Sequence, residues 1–241
     1  MLKSKLMNCA KELGHFFGLE IKRTKSVDFN YKWLQNLNIR TIIDIGASVG
    51  EFSKSIHKLL PEAKIYAFEP LKDSYLKLVS NTKYLPRFQA FNCGLGERDD
   101  SGVDMYHCEY SPSSSLLNMT DLHKGICPQA KNVTIKNVSM RCLDGIVQGL
   151  DIEENLFIKI DVQGYEDRVI MGGKKTFSRA RIVIAETSFE KLYENQAFFD
   201  DIYNIMKGMC FSFKGSWGPM MKNLNDGSVF CCDSVFIKDT K

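Results

Sequence analysis

The chain has 241 residues, of which 44% are hydrophobic and 25% are charged, so it can form one large α/β domain or two small ones with a full core. The net charge is only +3 and the two signs are interspersed, which gives no support for a nucleic-acid partner. No apolar run approaches the length of a membrane span, no signal peptide is visible, and the eight cysteines form no C-x-x-C pair. We therefore expect a cytoplasmic protein without structural zinc.

The first 25 residues are predicted to form a segment of their own. Within residues 1–18, apolar side chains recur at helical spacing beside three lysines, which is typical of a basic amphipathic helix. Such a helix either touches a membrane surface, acts as a lid, or packs on its own domain or on a second subunit. We favour packing, because the apolar stripe is short and the basic excess is small. Residues 26–241 are predicted to form a single domain.

The first strong pattern of this domain is an apolar run that ends in a glycine loop. Residues 39–45 indicate a buried parallel strand, which Gly46 and Gly50 break just before a helical pattern that includes Phe52. The backbone N–H groups at such a junction form a cradle for a ligand, and glycine lets the ligand lie close to the backbone. Asp44 adds a carboxylate just before the loop, which suits a ligand with a cationic or hydroxylated part.

A second apolar run, residues 63–68, ends in Glu69 and Pro70. In a Rossmann-type unit, an acidic residue at the end of the second strand accepts hydrogen bonds from two ribose hydroxyls. The glycine spacing here is G-x-x-x-G, so the G-x-G-x-x-G fingerprint of dinucleotide sites is absent. S-adenosylmethionine (SAM), which has a ribose and an amino acid but no phosphate, fits this pattern better than NAD does.

The strand–helix alternation continues after this site. Residues 71–80 have helical spacing, and residues 87–93 form a third strand that a Gly-Leu-Gly turn ends. In a SAM site the loop after this strand borders the adenine, so Cys93, Gly94 and Leu95 are candidates for that contact. Residues 103–108 and 133–140 alternate like strands on either side of a serine-rich stretch. That stretch is either a binding loop or a flexible surface loop.

Two further strands end in acids. Residues 155–161 form a fourth strand that ends at Asp161, and residues 181–186 form a fifth that ends at Glu186, with one helix predicted over residues 165–177 between them. Ligands of open α/β sheets bind at the carboxyl ends of the strands, so both side chains are expected at one crevice. Two such carboxylates could activate a substrate hydroxyl or hold a divalent cation, and the sequence leaves the metal open.

The C-terminal part completes the sheet. Residues 198–206 form a helix, residues 210–214 a strand, and residues 228–237 a closing strand after an Asn-Asp-Gly turn. Residues 215–221 carry apolar side chains without helical or strand periodicity. This stretch is either a wall of the acceptor pocket or a hairpin in which Trp217 simply packs.

Several of these motifs occur in the order seen in the FkbM family of SAM-dependent O-methyltransferases. They are Asp44-Ile45-Gly46-Ala47-Ser48-Val49-Gly50, Phe68-Glu69-Pro70, Ser114-Ser115-Leu116, Leu143-Asp144 and the stretch from Ile158 through Asp161 to Glu166. The chain resembles that family over residues 38–186. It has Ser48 where the family commonly has Asn, and Gln163 where Glu is common, so Gln163 is given no catalytic role.

The resemblance implies a class I methyltransferase fold, which is Rossmann-like α/β, with a mostly parallel seven-stranded sheet, helices on both faces and a closing antiparallel strand. It implies methyl transfer from SAM to a hydroxyl of a sugar, a glycan or a secondary metabolite. An NAD-dependent oxidoreductase and a non-catalytic scaffold in a glycan-assembly complex are the alternatives.

In this interpretation Asp161 is the best candidate for the catalytic base and Glu186 the next, while Asp44 is expected to hold the amino group of the methionine part. The acceptor is a small molecule or a glycan, and a homo-oligomer is left open. The predicted cofactor-binding residues are Asp44, Gly46, Ala47, Ser48, Gly50, Phe52, Glu69, Pro70, Cys93, Gly94, Leu95 and Asp161.

Overall fold

A computed structural model describes residues 31–108, 113–130 and 132–239. One compact unit, Leu34–Lys241, contains the whole sheet structure. The predicted N-terminal segment and its boundary at residue 25 lie outside the described residues. Within the described part of the chain, no helix is long and apolar enough to cross a bilayer.

The described residues form ten strands and seven α-helices. The strands are β1 Thr41–Ile45, β2 Lys64–Phe68, β3 Phe88–Phe91, β4 Gly94–Leu95, β5 Asp100–Cys108, β6 Val133–Arg141, β7 Leu156–Ile160, β8 Ala180–Ser188, β9 Phe211–Lys222 and β10 Val229–Lys238. The helices are α1 Glu51–Leu59, α2 Lys72–Thr82, α3 Asp121–Ile126, α4 Leu143–Ile146, α5 Glu166–Gly172, α6 Lys174–Arg179 and α7 Phe199–Gly208. Short 3-10 helices cover Lys32–Leu37, Pro128–Ala130 and Val147–Gly149.

Seven strands form the main sheet in the order β3-β2-β1-β7-β8-β10-β9. The neighbours from β3 to β8 run parallel, whereas β10 is antiparallel to both β8 and β9. The central strands β1 and β7 are buried along their whole length because helices cover both faces. This arrangement confirms the predicted class I methyltransferase fold with its closing antiparallel strand.

Different helices pack on the two faces of the main sheet. Ile43 and Ile45 of β1 belong to the main hydrophobic core, which includes apolar side chains of α5, α6 and α7. Side chains alternate along a strand, so Asp44 points to the other face, where Ser53 of α1 contacts it. On that second face Leu78 of α2 packs against Ala67 of β2. Polar groups on the α1 side are therefore close to the glycine loop that precedes α1.

A second, three-stranded sheet has the order β4-β6-β5 and contains the two alternating strands predicted from the sequence. The Gly-Leu-Gly turn predicted after the third strand is wrong in one respect. Gly94 and Leu95 pair with Met140 and Arg141 of β6 as a short parallel strand. A Cβ atom at Gly94 would lie 2.5 Å from the Met140 sulfur, so the Met140 side chain would have to move to admit a larger residue.

Two further element predictions need correction. The helix predicted over residues 165–177 is interrupted at Gly173. A Cβ atom at Gly173 would lie 2.9 Å from a side-chain carbon of Leu143. The strand predicted over residues 210–214 continues to Lys222 as β9, an edge strand paired with β10, so residues 215–221 belong to the hairpin that the sequence left open. Shifts in the β9–β10 register and the partly exposed edge position remove the alternation that would identify a strand.

Candidate functional site

The glycine loop between β1 and α1 is held against the end of β2. The amide N–H groups of Gly46 and Ala47 both donate to the Phe68 carbonyl oxygen at 3.0 Å, and the Gly50 amide donates to Ala47 at 2.8 Å. Gly46 has a φ of +79°, and a Cβ atom there would lie 1.9 Å from the Asp161 carbonyl oxygen. Only glycine fits this position, because both the backbone conformation and the contact with Asp161 exclude a side chain.

A cavity of about 280 Å³ opens at the carboxyl ends of β1, β2 and β7. The second sheet and the serine-rich segment form its other wall through Met105, Ser114, Leu116 and Met140. Its volume is near the lower end of the range for small-molecule sites, about 300 to 1,000 Å³. The predicted cofactor residues that line it are Gly46, Ala47, Ser48, Phe52, Glu69, Pro70, Cys93, Gly94, Leu95 and Asp161. Asp44, Gly50 and Glu186 are not among the lining residues.

Glu69 lies at the end of β2 with its carboxylate on the cavity wall. One oxygen accepts the Ser48 amide and the other the Leu71 amide, both at 2.9 Å. Burial raises the pKa of Glu69 to about 7, although these two N–H groups oppose the shift. Each carboxylate oxygen has a further lone pair, so Glu69 can still accept hydrogen bonds from two ligand hydroxyls.

Asp44 lies beneath the glycine loop. It is fully buried, and one of its oxygens accepts the Ser53 hydroxyl at 2.6 Å. Its other oxygen, Oδ1, has no hydrogen-bond partner among the described residues. Burial raises the pKa of Asp44, while Lys159 and Ser53 oppose the shift. Asp44 therefore supports the start of α1, and the structure does not bring its side chain to the cavity surface.

Asp161 faces the cavity and forms an ion pair with Lys159 of β7. Its side chain is 34% exposed, and its Oδ2 atom lies 2.9 Å from the Lys159 ammonium. The Gln163 side-chain amide donates to Oδ1 at 2.8 Å. Burial alone would raise the pKa of Asp161, but the Lys159 charge and the hydrogen bonds from Lys159 and Gln163 hold it below the usual value. Asp161 is therefore ionised at neutral pH and is a weak base.

Gln163 connects Asp161 with Glu186. Its Nε2 atom also donates to Glu186 at 2.6 Å, and its Oε1 atom accepts the Tyr193 hydroxyl at 2.7 Å. The Ser115 hydroxyl donates to the Gln163 backbone carbonyl at 2.6 Å. Burial raises the pKa of Glu186 well above its usual value. The two predicted acids are thus close in space but separated by an amide, and only Asp161 reaches the cavity.

Four residues of the cavity wall have no role that the sequence predicts, namely Lys159, Gln163, Met105 and Met140. Lys159 could have been found as the only charged residue in the otherwise apolar strand β7, because a buried lysine requires an anionic partner. The two methionines and Gln163 gave no such signal, since their positions depend on how the small sheet docks. The structure forms no cluster of three or more His, Cys, Asp or Glu side chains suited to a metal ion within the residues it describes.

Comparison with known proteins adds the identity of the domain. The model of the methyltransferase FkbM domain matches residues 44–213. The 2-O-methyltransferase NoeI of Sinorhizobium fredii is 28% identical over 165 residues, which cover 64% of this chain and 66% of that protein. The AMB antimetabolite synthetase AmbE of Pseudomonas aeruginosa is 27% identical over 158 residues, or 54% of this chain and 7% of AmbE. The chain thus matches less than two thirds of the length of either relative.

Among solved structures, the chain is similar to the methyltransferase FkbM of Methylobacillus flagellatus KT. The superposition has a TM-score of 0.50 at 14% identity and covers 90% of this chain and 48% of that one. At this identity the likeness concerns the fold alone. The family model matches most of the chain. The sheet order and the cavity at the strand ends agree with that match. This chain belongs to the methyltransferase FkbM domain family.

Proposed function

We propose that the chain is a SAM-dependent O-methyltransferase, with residues 26–241 as its catalytic domain and a sugar, glycan or secondary-metabolite hydroxyl as the acceptor. The observation that carries the proposal is the cavity at the ends of β1, β2 and β7, with Glu69 and Asp161 in its wall. The name of the relative NoeI, a 2-O-methyltransferase, supports oxygen as the methylated atom. A cytoplasmic location is part of the proposal, and it is supported by the cysteines of the described residues, none of which forms a disulfide.

The side chains around the cavity fit a nucleoside joined to an amino acid. Glu69 offers two acceptor oxygens for a ribose diol, and Cys93, Leu95 and Met140 offer an apolar surface for a purine. Asp161 and Lys159 provide one charge of each sign at the cavity wall, which matches a zwitterionic amino-acid group. The described residues of this wall form no cationic cluster for a pyrophosphate. The site therefore fits SAM better than it fits NAD.

SAM would supply a methyl group on a sulfonium that becomes a neutral thioether when the acceptor oxygen attacks. Much of the rate enhancement would come from alignment, because holding the acceptor in line with the methyl group replaces a bimolecular encounter. Asp161 is ionised and faces the cavity, so it can accept the acceptor hydroxyl's hydrogen bond and orient that oxygen. Since its pKa is low, we expect it to take the proton only as the oxygen–methyl bond forms.

Two measurements test the proposal, and neither requires that the acceptor be identified first. Isothermal titration with SAM, S-adenosylhomocysteine and NAD should show binding of the first two ligands only. A mass-spectrometric screen of sugars, nucleotide sugars, glycans and secondary metabolites should then detect a product heavier by one methyl group. Binding of NAD alone would support an oxidoreductase. Binding of SAM with no product for any acceptor class would support the scaffold alternative.

Replacing Glu69 with alanine should weaken SAM binding by about 1.5 to 3 kcal/mol, which is the scale for losing charge-assisted hydrogen bonds. Glu69→Gln is the informative partner variant, because it keeps an acceptor oxygen for one of the two backbone amides but removes the charge. Glu62→Ala, at an exposed position away from the cavity, is the matched control. Titration calorimetry with SAM measures the effect, and a Glu69→Ala protein that binds SAM like the parent would disprove the ribose role.

A further inference from the structure

Lys159 is a buried cation in a strand that is otherwise apolar. The residue is 7% exposed and lies on β7, directly opposite Asp44 of β1 in the parallel register. Asp161, two residues further on the same face, forms its ion pair. A lysine is almost never this deeply buried unless its charge has partners. The position of Lys159 therefore requires anions around its ammonium group.

The hydrogen-bonding capacity of this ammonium group is not exhausted by Asp161. An ammonium has three N–H donors, and Lys159 donates to one protein oxygen, Asp161 Oδ2, among the described residues. The Phe52 ring, at 5.5 Å from Nζ to its centroid, supplies only a weak cation–π contact. Burial opposes the charge, but Asp161 and Asp44 outweigh it and hold the pKa of Lys159 above its usual value. Lys159 is thus a permanent positive charge with spare donors.

Lys159 is also part of the cavity wall. Among the described residues that line the cavity it is the only one with a positive charge. Helix α1 begins beside it, after Gly50, which has no side chain to cap the helix. The positive end of the helix dipole adds to the potential of the ammonium group. Lys159 therefore offers an anionic group of a bound ligand a positive charge at this wall, part of which its partner Asp161 neutralises.

We propose that Lys159 binds the α-carboxylate of the methionine part of SAM and thereby makes this site selective for the intact amino acid. The inference rests on the proposed function, because that function supplies the ligand. Asp161 then has two tasks, since it keeps Lys159 charged and oriented on one side and faces the acceptor on the other. In the opposing interpretation Lys159 is only the counter-ion of Asp161 and Asp44, and it does not contact the ligand.

Decarboxylated SAM separates the two interpretations because it keeps the adenosine, the sulfonium and the amine and lacks only the carboxylate. We expect the parent protein to bind SAM about 10- to 100-fold more tightly than decarboxylated SAM, the scale of one or two charge-assisted hydrogen bonds. Titration calorimetry measures both affinities. Equal affinities in the parent would overturn the inference while leaving SAM binding intact. A parent that binds neither SAM nor S-adenosylhomocysteine would instead disprove the proposed function.

A variant of Lys159 tests whether this residue causes the preference for SAM over decarboxylated SAM. Lys159→Met should weaken SAM binding about 10- to 100-fold and change the affinity for decarboxylated SAM less than about threefold, so the preference disappears. Lys64→Met is the control, because Lys64 also pairs with two acids, Asp151 and Glu153, but at the other end of β2. A preference for the carboxylate that persists in Lys159→Met would overturn the inference and would assign recognition to the loop amides.

Removing one member of a buried ion pair can destabilise a protein. Lys159→Met is therefore compared with Lys159→Gln, which keeps a donor for Asp161, and the fold of each is checked by circular dichroism. Lys159→Gln should retain part of the preference for SAM. If neither variant folds, the comparison of SAM with decarboxylated SAM in the parent still decides whether the site recognises the carboxylate.

Discussion

Replacing Asp161 with asparagine should lower the rate of methyl transfer by about two to four orders of magnitude, the range for loss of a general base. The affinity for SAM should fall less than the rate does, because the variant removes one charge beside Lys159 but keeps the shape of the side chain and one oxygen for Lys159 or Gln163. The parent rate should show no titration of Asp161 at neutral pH. Its carboxyl pKa is held below the usual value, so the group is already ionised there.

The measurement is single-turnover methyl transfer beside calorimetric SAM binding, with thermal unfolding as a check. Glu186→Gln is the matched control, because Glu186 bonds to the same Gln163 amide but does not line the cavity. It should reduce the rate less than Asp161→Asn does. An unchanged rate in Asp161→Asn would remove Asp161 from the mechanism and leave Glu186 as the next candidate. If EDTA abolishes the activity of the parent and Mg²⁺ restores it, a cation takes part in the reaction.

Replacing Gly46 with alanine should lower the free energy of unfolding by about 3 to 5 kcal/mol, a large share of the stability of an ordinary domain. Two causes add. A φ of +79° is unfavourable for alanine, and the new Cβ atom would lie 1.9 Å from the Asp161 carbonyl oxygen. That oxygen belongs to backbone at the end of β7 and cannot rotate away as a flexible side chain could.

Urea unfolding followed by circular dichroism checks this prediction. Gly145→Ala is the control, since Gly145 lies in α4 and a Cβ atom there would meet nothing within 4 Å. The free energy of unfolding of Gly145→Ala should equal that of the parent or exceed it by up to about 1 kcal/mol. SAM binding by any folded Gly46→Ala protein should also be weakened, because the loop must move away from Asp161. A variant that unfolds like the parent would mean that the loop does not contact Asp161 as described.

Much of the main sheet could be predicted because its signals are local. An apolar run such as β1, followed by Gly46 and Gly50, specifies a strand and a turn without reference to the rest of the chain. The acids at the strand ends are equally visible, and parallel strands bring their carboxyl ends to one edge. The position of Glu69 at the cavity follows from this rule alone.

Local patterns failed where long-range packing decides the conformation. Gly94 and Leu95 form a strand because β6, which comes much later in the chain, pairs with them. The second half of β9 is a strand because β10 pairs with it, although bulges and exposure hide its alternation. Propensity and periodicity describe a segment and its immediate neighbours only, so they cannot register a partner that arrives from elsewhere in the chain.

The sequence by itself thus determined the fold class, the glycine loop, and the acids Glu69 and Asp161 at the strand ends. Only the tertiary structure decided which groups surround the acids at the strand ends. It placed Asp44 under the loop, joined Asp161 to Lys159, and inserted the Gln163 amide between Asp161 and Glu186. The physical reason is that the chemistry of a carboxylate depends on its burial and on its nearest donors. Those donors come from different strands and loops, and their approach is fixed when the sheets, helices and loops pack together.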